Sequence, residues 1–243
     1  MHRIFLAPEQ FHGDTVQIDG NEHQHLAKVL RVRVGESVVL LNNRGQAYQA
    51  TIREIGKIAT QAHIENELEY PPEPPIFLTV AQALGKGDKF EQVIQHGTEA
   101  GASAFVPVRA ERCVADIPAA KVADRIGRYQ QIAKGAAEQS GRLKIPQIEL
   151  PLTTAQLLAR HTPECPVWLL HPAADSVPLK TLLAQSHVAT AILAVGPEGG
   201  WSQTEESQAQ TANIPRVTLG SRILRTETAA LVAISQILYH FEK

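Results

Sequence analysis

The pattern of apolar and polar positions along this 243-residue chain changes rhythm once. Up to residue 70 the apolar runs are short and extended: Arg3–Leu6, Thr15–Ile18, Ser37–Leu41, Ala47–Ile55 and Ala59–Ile64. Asn42-Asn43-Arg44-Gly45 separates two of them, and Asn and Gly tolerate the positive φ that a hairpin turn needs. One stretch, Asn21–Val32, has helical spacing, with Asn21 placed to cap it. Several short strands and a single helix predict a small β-barrel.

Residues 71–75 read Pro-Pro-Glu-Pro-Pro, which continues neither a helix nor a central strand. We read them as a stiff linker between a first domain, 1–70, and a second, 76–243. In the second domain apolar runs at Ile76–Leu84, Ala104–Val108, Ile145–Leu150, Val167–Leu170, Ala191–Val195 and Val217–Leu219 predict strands. Helical stretches at Lys89–Ala100, Ala119–Gln139, Thr154–Arg160 and Leu179–Gln185 lie between most of them. Ser202-Gln203-Thr204-Glu205 is a capping box, and Glu227–Phe241 closes the chain as an amphipathic helix. Strand–helix alternation predicts an α/β domain on a parallel sheet, with ligands at the carboxyl ends of its strands.

Composition narrows the classes. Hydrophobic residues make up 44% of the chain, enough to bury a core, and the net charge is −2, so any attraction to nucleic acid must be local. Cys113 and Cys165 stand far apart without CxxC spacing, which excludes a zinc finger or a disulfide framework and fits a reducing cytoplasm. The first residues, MHRIFLAPEQ, lack the apolar run of a signal peptide, and no apolar stretch is long enough to span a bilayer. Neither a membrane nor a metal is expected, since His23-Gln24-His25 lacks partners for a metal site.

The chemistry is concentrated near the C-terminus. The strand Ile192–Val195 runs straight into Gly196-Pro197-Glu198-Gly199-Gly200, and a capped helix follows. Glycines let backbone approach a ligand closely, and the new helix offers unpaired N–H groups. A second strand–loop–helix unit, Val217 to Ala230, carries Arg222, Arg225 and Glu227 in one short loop. A third strand end, Leu169-Leu170-His171-Pro172, supplies a histidine. A P-loop, a GxGxxG fingerprint after a strand and a GxSxG elbow are all missing.

Gly196–Gly200, Leu219-Gly220 and Arg222-Ile-Leu-Arg-Thr-Glu-Thr-Ala229 closely resemble the bacterial 16S rRNA (uracil-N3) methyltransferase family, of the SPOUT class. The segment His25-Leu-Ala-Lys-Val-Leu-Arg31 resembles its N-terminal signature. Lys86–Glu91, Glu99–Gly101, Glu111–Cys113 and Glu138–Arg142 resemble its central motifs, so the likeness spans both domains. The resemblance implies a PUA-like RNA-binding barrel followed by a trefoil-knotted α/β domain, a homodimer, and a cofactor, S-adenosyl-L-methionine, held by the knot. The implied reaction moves a methyl group to N3 of a uridine in 16S rRNA, with the small ribosomal subunit as partner and no metal.

On that basis Gly196, Pro197, Glu198, Gly199, Gly200, Leu219, Gly220, Ile223, Leu224 and Glu227 are expected to hold the cofactor, with Leu170 and His171 lining the same pocket. Glu198 and Glu227 are each read either as a ligand to a cofactor hydroxyl or amine, or as a partner for a neighbouring arginine. Arg112, Gln139, Arg142 and Arg225 are the candidates at the uracil, and Glu138 is a proton acceptor by type alone. Arg3, His25, Lys28, Arg31, Arg33 and Lys86 are the candidates for RNA contact. His25, Lys28 and Arg31 are spaced three apart, as residues sharing one helix face would be. Residues 1–70 hold seven Lys and Arg against nine Asp and Glu, so only clustering favours RNA there. Two other readings stay open: a non-catalytic ribosome-assembly factor, and the same fold acting on a ribose hydroxyl or a guanine.

Overall fold

The computed structural model describes Met1–Glu242 and divides the chain into two compact units. The first comprises Met1–Glu73 together with Ala137–Ile145, and the second Pro74–Ala136 together with the chain from Pro146 onward. The contribution of 137–145 to the first unit is absent from a reading that cuts the chain once at the prolines.

In the first unit, strands β1 (His2–Phe5), β2 (Phe11–His12) and β3 (Thr15–Asp19) precede a short helix, α1 (Gly20–Gln24). Strands β4 (Ser37–Leu41), β5 (Ala47–Ile55) and β6 (Ala59–Leu68) follow. They form one sheet in the order β1-β4-β5-β6-β3-β2, with β1 parallel to β4 and every other pair antiparallel. The run Ser-Val-Val-Leu-Leu of β4 is apolar on both faces because both are covered. Val38 and Leu40 pack with Ile4, Val16, Ile18 and Leu26, while Val39 and Leu41 pack with Phe5, Ala47, Ala137 and Leu143. Full burial of one such leucine contributes roughly 2 kcal/mol. In the β4–β5 turn, Asn42 Oδ1 accepts the N–H groups of Arg44 and Gln46, and Asn43 and Gly45 take positive φ.

The helix after β3 departs from the expected one. Its N-cap is Asp19 and not Asn21, and the Asp19 carboxylate accepts from Gln10 Nε2 instead of capping. Regular α geometry ends at Gln24, and a wider π-type turn runs over His25–Leu30. It closes on Arg31 in the left-handed region (φ 53°), whose N–H reaches back to Leu26. At that wider pitch, positions three apart no longer stack on one face, so the shared-face argument for His25, Lys28 and Arg31 fails.

The second unit holds β7 (Phe77–Ala83), α2 (Lys89–Ala100), β8 (Ala104–Arg109) and α3 (Val122–Ser140), whose last turn is counted with the first unit. Then come β9 (Gln147–Ile148), β10 (Leu152–Thr153), α4 (Thr154–Leu158), β11 (Val167–Leu170), β12 (Val177–Pro178) and α5 (Leu179–Ala184). The chain finishes with β13 (Thr190–Val195), α6 (Gln203–Thr211), β14 (Arg216–Thr218) and α7 (Thr226–Phe241). All eight strands pair in parallel, in the order β10-β8-β7-β13-β11-β14-β12, with β9 also on β8. Of the expected strand over Ile145–Leu150 only the two-residue piece β9 forms, between Pro146 and Pro151, which each lack the N–H that would continue a ladder. The central strands β7, β11 and β13 are buried almost throughout, as a sheet covered on both faces requires. Among the described residues no helix is long and apolar enough to cross a membrane.

Candidate functional site

Strands β11, β13 and β14 are neighbours and parallel, so their carboxyl ends lie together. A cavity of about 680 Å³ opens there, lined by Leu170–Pro172, Val195–Trp201, Val217–Gly220 and Arg222–Thr226, with Lys89 and Ala229. Its size suits a nucleoside-sized ligand, and its walls are apolar side chains mixed with backbone polar groups.

Two features build the glycine loop. A β-turn spans Pro197–Gly200, closed by Gly200 N–H to Pro197 O at 2.9 Å, with Gly200 at φ +69°. Trp201, fully buried, donates its indole N–H to Leu170 O at 3.1 Å and so ties this loop to the end of β11. A Cβ at Gly196 would stand 3.1 Å from that indole, so any side chain there would crowd the ring and push it back by a few tenths of an ångström. At Gly199 a Cβ would meet the Arg112 side chain at 3.3 Å, so a side chain there points at Arg112. Arg112 in turn donates to Gly199 O at 3.0 Å.

Behind the loop lies a buried carboxylate. Glu205 accepts from Ser202 N–H (2.8 Å), Glu111 N–H (2.9 Å) and Thr154 Oγ1 (2.6 Å). The capping box was legible in sequence, and the structure adds that the same carboxylate fastens Glu111 and α4 to the glycine loop.

Charged groups at the cavity differ in what they touch. Glu198 takes the Lys89 ammonium at 2.5 Å, and Glu227 lies 3.8 Å from it. The Lys89 hydrogen bond holds the Glu198 carboxyl below the usual carboxylate range, and the same bond raises the Lys89 ammonium. His171 Nδ1 accepts the Ala173 N–H at 3.1 Å, so its proton sits on Nε2, facing Glu206 at 3.3 Å. Glu206 also takes Arg216 at 3.4 Å. Arg222 and Arg225 stand on the rim and carry no ion pair among the described residues, and Ile223 between them is 88% exposed.

All twelve residues expected around a cofactor lie at this cavity except Glu227, which stands behind its rim beside Thr226. Of the four expected at the uracil, Arg225 lines the cavity and Arg112 touches the glycine loop. Gln139 and Arg142 belong to the first unit. There Arg142 forms a two-pronged ion pair with Glu73, whose other oxygen accepts the N–H groups of Leu143 and Lys144. Glu138 accepts the Phe5 N–H at 3.0 Å, and Arg3 donates to Tyr70 (3.2 Å) and to Gln139 O (3.4 Å). Arg3 is therefore half-buried and engaged, and does not add a free charge to a basic patch. His25, Lys28, Arg31 and Arg33 make no ion pair among the described residues, and Val29 and Val34 are exposed among them. His23, by contrast, is buried against Thr60 at 2.9 Å. Lys86 is exposed and lies in the second unit. Lys89 was missed, because its contact with Glu198 joins positions 109 residues apart. Among the described residues no cluster of three or more His, Cys, Asp or Glu could hold a metal.

A parallel α/β sheet with a glycine-walled cavity at adjacent strand ends defines a nucleotide-scale ligand-binding domain. Residues 72–238 match the RNA methyltransferase domain family, and residues 18–65 match the RNA methyltransferase PUA domain. Ribosomal RNA small subunit methyltransferase E of Mycobacterium bovis is 35% identical over 93% of this chain and 86% of its own length. The protein of the same name from Bacillus subtilis is 32% identical over 94% and 91%. The crystal structure of ribosomal RNA small subunit methyltransferase E from Neisseria gonorrhoeae, bound to S-adenosyl methionine, superposes with a TM-score of 0.87 at 34% identity, covering 98% of this chain and 97% of that one. The chain belongs to this family of RNA methyltransferases, with an N-terminal PUA domain before the α/β domain.

Proposed function

We propose that the protein is an S-adenosylmethionine-dependent methyltransferase that modifies N3 of a uridine in 16S rRNA of the small ribosomal subunit, in the cytoplasm and as a homodimer. The observation that carries this reading is the cavity at the ends of β11, β13 and β14, walled by Gly196–Gly200 and by the loop after β14. The residues present fit the cofactor: Leu170, Val195, Val217, Leu219 and Leu224 offer apolar surface, and the two loops offer backbone donors and acceptors. In this reading the two loops belong to the family's trefoil knot. The bound cofactor supplies a methyl group already activated on a sulfonium.

The protein's own part is to align the acceptor and to favour its deprotonated form. Losing the N3 proton leaves negative charge on the uracil oxygens, and a cation fixed nearby stabilises it. Arg225, on the cavity rim and without an ion pair among the described residues, takes that role, and Arg222 beside it faces the RNA backbone. Arg112 acts one step back, by holding Gly199. Gln139 and Arg142 support the first unit, where Arg142 clamps 142–144 to Glu73. Without a shared helix face, His25, Lys28, Arg31 and Arg33 are separate exposed candidates for phosphate contact in that unit, and Lys86 is a further candidate contact. The homodimer is what the resemblance to the family implies.

Digestion of small subunits treated with the protein and S-adenosylmethionine, with mass spectrometry of the nucleosides, tests the proposal. N3-methyluridine is the expected new species. A different methylated nucleoside refutes the acceptor, and no product from protein that binds the cofactor favours a non-catalytic assembly factor.

A further inference from the structure

The trio of Lys89, Glu198 and Glu227 takes no part in the proposed methyl transfer. Lys89 opens α2, Glu198 sits in the glycine loop, and Glu227 lies in the first turn of α7. The Lys89 ammonium is 2.5 Å from Glu198 Oε1 and 3.8 Å from Glu227 Oε2, and both Lys89 and Glu198 line the cavity. The backbone leaves room for this contact: a Cβ at Gly85 would stand 3.0 Å from Glu198 Oε1 and 3.2 Å from Lys89 Cδ. An ordinary exposed ion pair contributes little, because solvent screens it and two flexible chains lose freedom. This one differs in its short contact, its second carboxylate and its cradle of bare backbone. The Lys89 and Glu198 side chains are 29% and 36% exposed, so the pair stays partly open to solvent.

We propose that Lys89 is a positioning residue of the donor pocket: by holding the carboxylates of Glu198 and Glu227 together, it fixes the glycine loop and the start of α7 against α2. Without the ammonium, the two carboxylates repel, and both segments lose a shared anchor. Glu198 is thereby committed to Lys89, a partner that neither of the two roles read from the sequence had named. The inference rests on the proposed function for the identity of the ligand, S-adenosylmethionine.

The test is calorimetric titration of the full chain with S-adenosylmethionine, paired with steady-state methyl transfer. Lys89→Met is expected to raise Kd about tenfold, as befits like charges left without their cation, and to raise KM for the donor by more than it lowers kcat. Glu198→Gln in the Lys89→Met background relieves the repulsion and is expected to bring Kd back to within about threefold of wild type. Gly85→Ala, which displaces the pair without removing a charge, is expected to raise Kd as well. Thermal melts of the unliganded variants check folding, and the partial rescue in the double variant is an effect that simple misfolding would not give. Unchanged Kd in Lys89→Met, or a weakening that the double variant fails to relieve, overturns the inference while the proposed function stands. If the wild-type chain itself takes up no S-adenosylmethionine, both fall together.

Discussion

Two short segments, Glu138–Arg142 and Arg222–Arg225, both end on an arginine and do opposite things in the fold. In the first, the charged groups are engaged inside their own unit: Arg142 with Glu73, Glu138 with the Phe5 amide. In the second, Arg222 and Arg225 stand on the rim of a cavity with no ion pair among the described residues. What separates them is the presence of a buried or half-buried partner far away in the chain. Glu73 lies 69 residues before Arg142, and among the described residues no carboxylate of comparable position meets Arg225. A motif of charges therefore shows that chemistry is available, and the fold decides whether it is committed to structure or left for a ligand.

Substitutions put this contrast to the test. The largest effect belongs to Gly196→Val, whose Cβ would press on the Trp201 indole. It is expected to lower donor affinity by about 100-fold or more, at a stability cost of about 1–3 kcal/mol for overpacking. Titration with S-adenosylmethionine and a urea melt would separate the two effects. Arg142→Ala should destabilise the fold by about 3 kcal/mol, because it leaves the Glu73 carboxylate without its cation, and chemical denaturation reads this. Arg225→Ala should do the reverse. Its stability should stay within about 0.5 kcal/mol of wild type, and kcat on small subunits should fall about 100-fold. Equal behaviour of the two variants would erase the distinction.

A smaller effect is expected in the first unit. Lys28→Glu with Arg31→Glu should weaken RNA binding about tenfold and reduce its salt slope by about one for each phosphate left without its cation. Donor affinity should not change. The smallest effect is in pH. Glu198 is held below its ordinary range, so what the pair adds to stability and loop order is complete above the usual carboxylate pKa and is lost as pH falls through the lowered one. Lys89 is raised, so its share persists until pH climbs through its elevated value. Donor affinity should thus be flat between about pH 6 and 9 and weaken on the acid side.

Much of this was legible in the sequence, for identifiable reasons. Periodicity exposed β4, β7, β11 and β13 because burial on both faces leaves continuous apolar runs. The glycine loop was legible because a glycine can answer to its immediate neighbours, as Gly196 does to Trp201 only five residues away. The failures share a cause. Lys89 with Glu198, Arg142 with Glu73 and Glu138 with Phe5 join positions 69 to 133 residues apart, which no local pattern records. The π-type turn at His25–Leu30 escaped notice for another reason: its residues suit an ordinary helix, and no local pattern marks the wider turn that forms with Leu26 and Val32 both buried. The two prolines at 146 and 151 stand in plain view in the sequence and are reason enough to shorten the strand expected there.

A crystal structure of the protein grown with S-adenosylmethionine would decide where the donor binds. Cofactor density is predicted in the cavity between Gly196–Gly200 and Thr218–Thr226, with Lys89 still against Glu198. Density for the cofactor anywhere else, with this cavity empty, would contradict the assignment of the site.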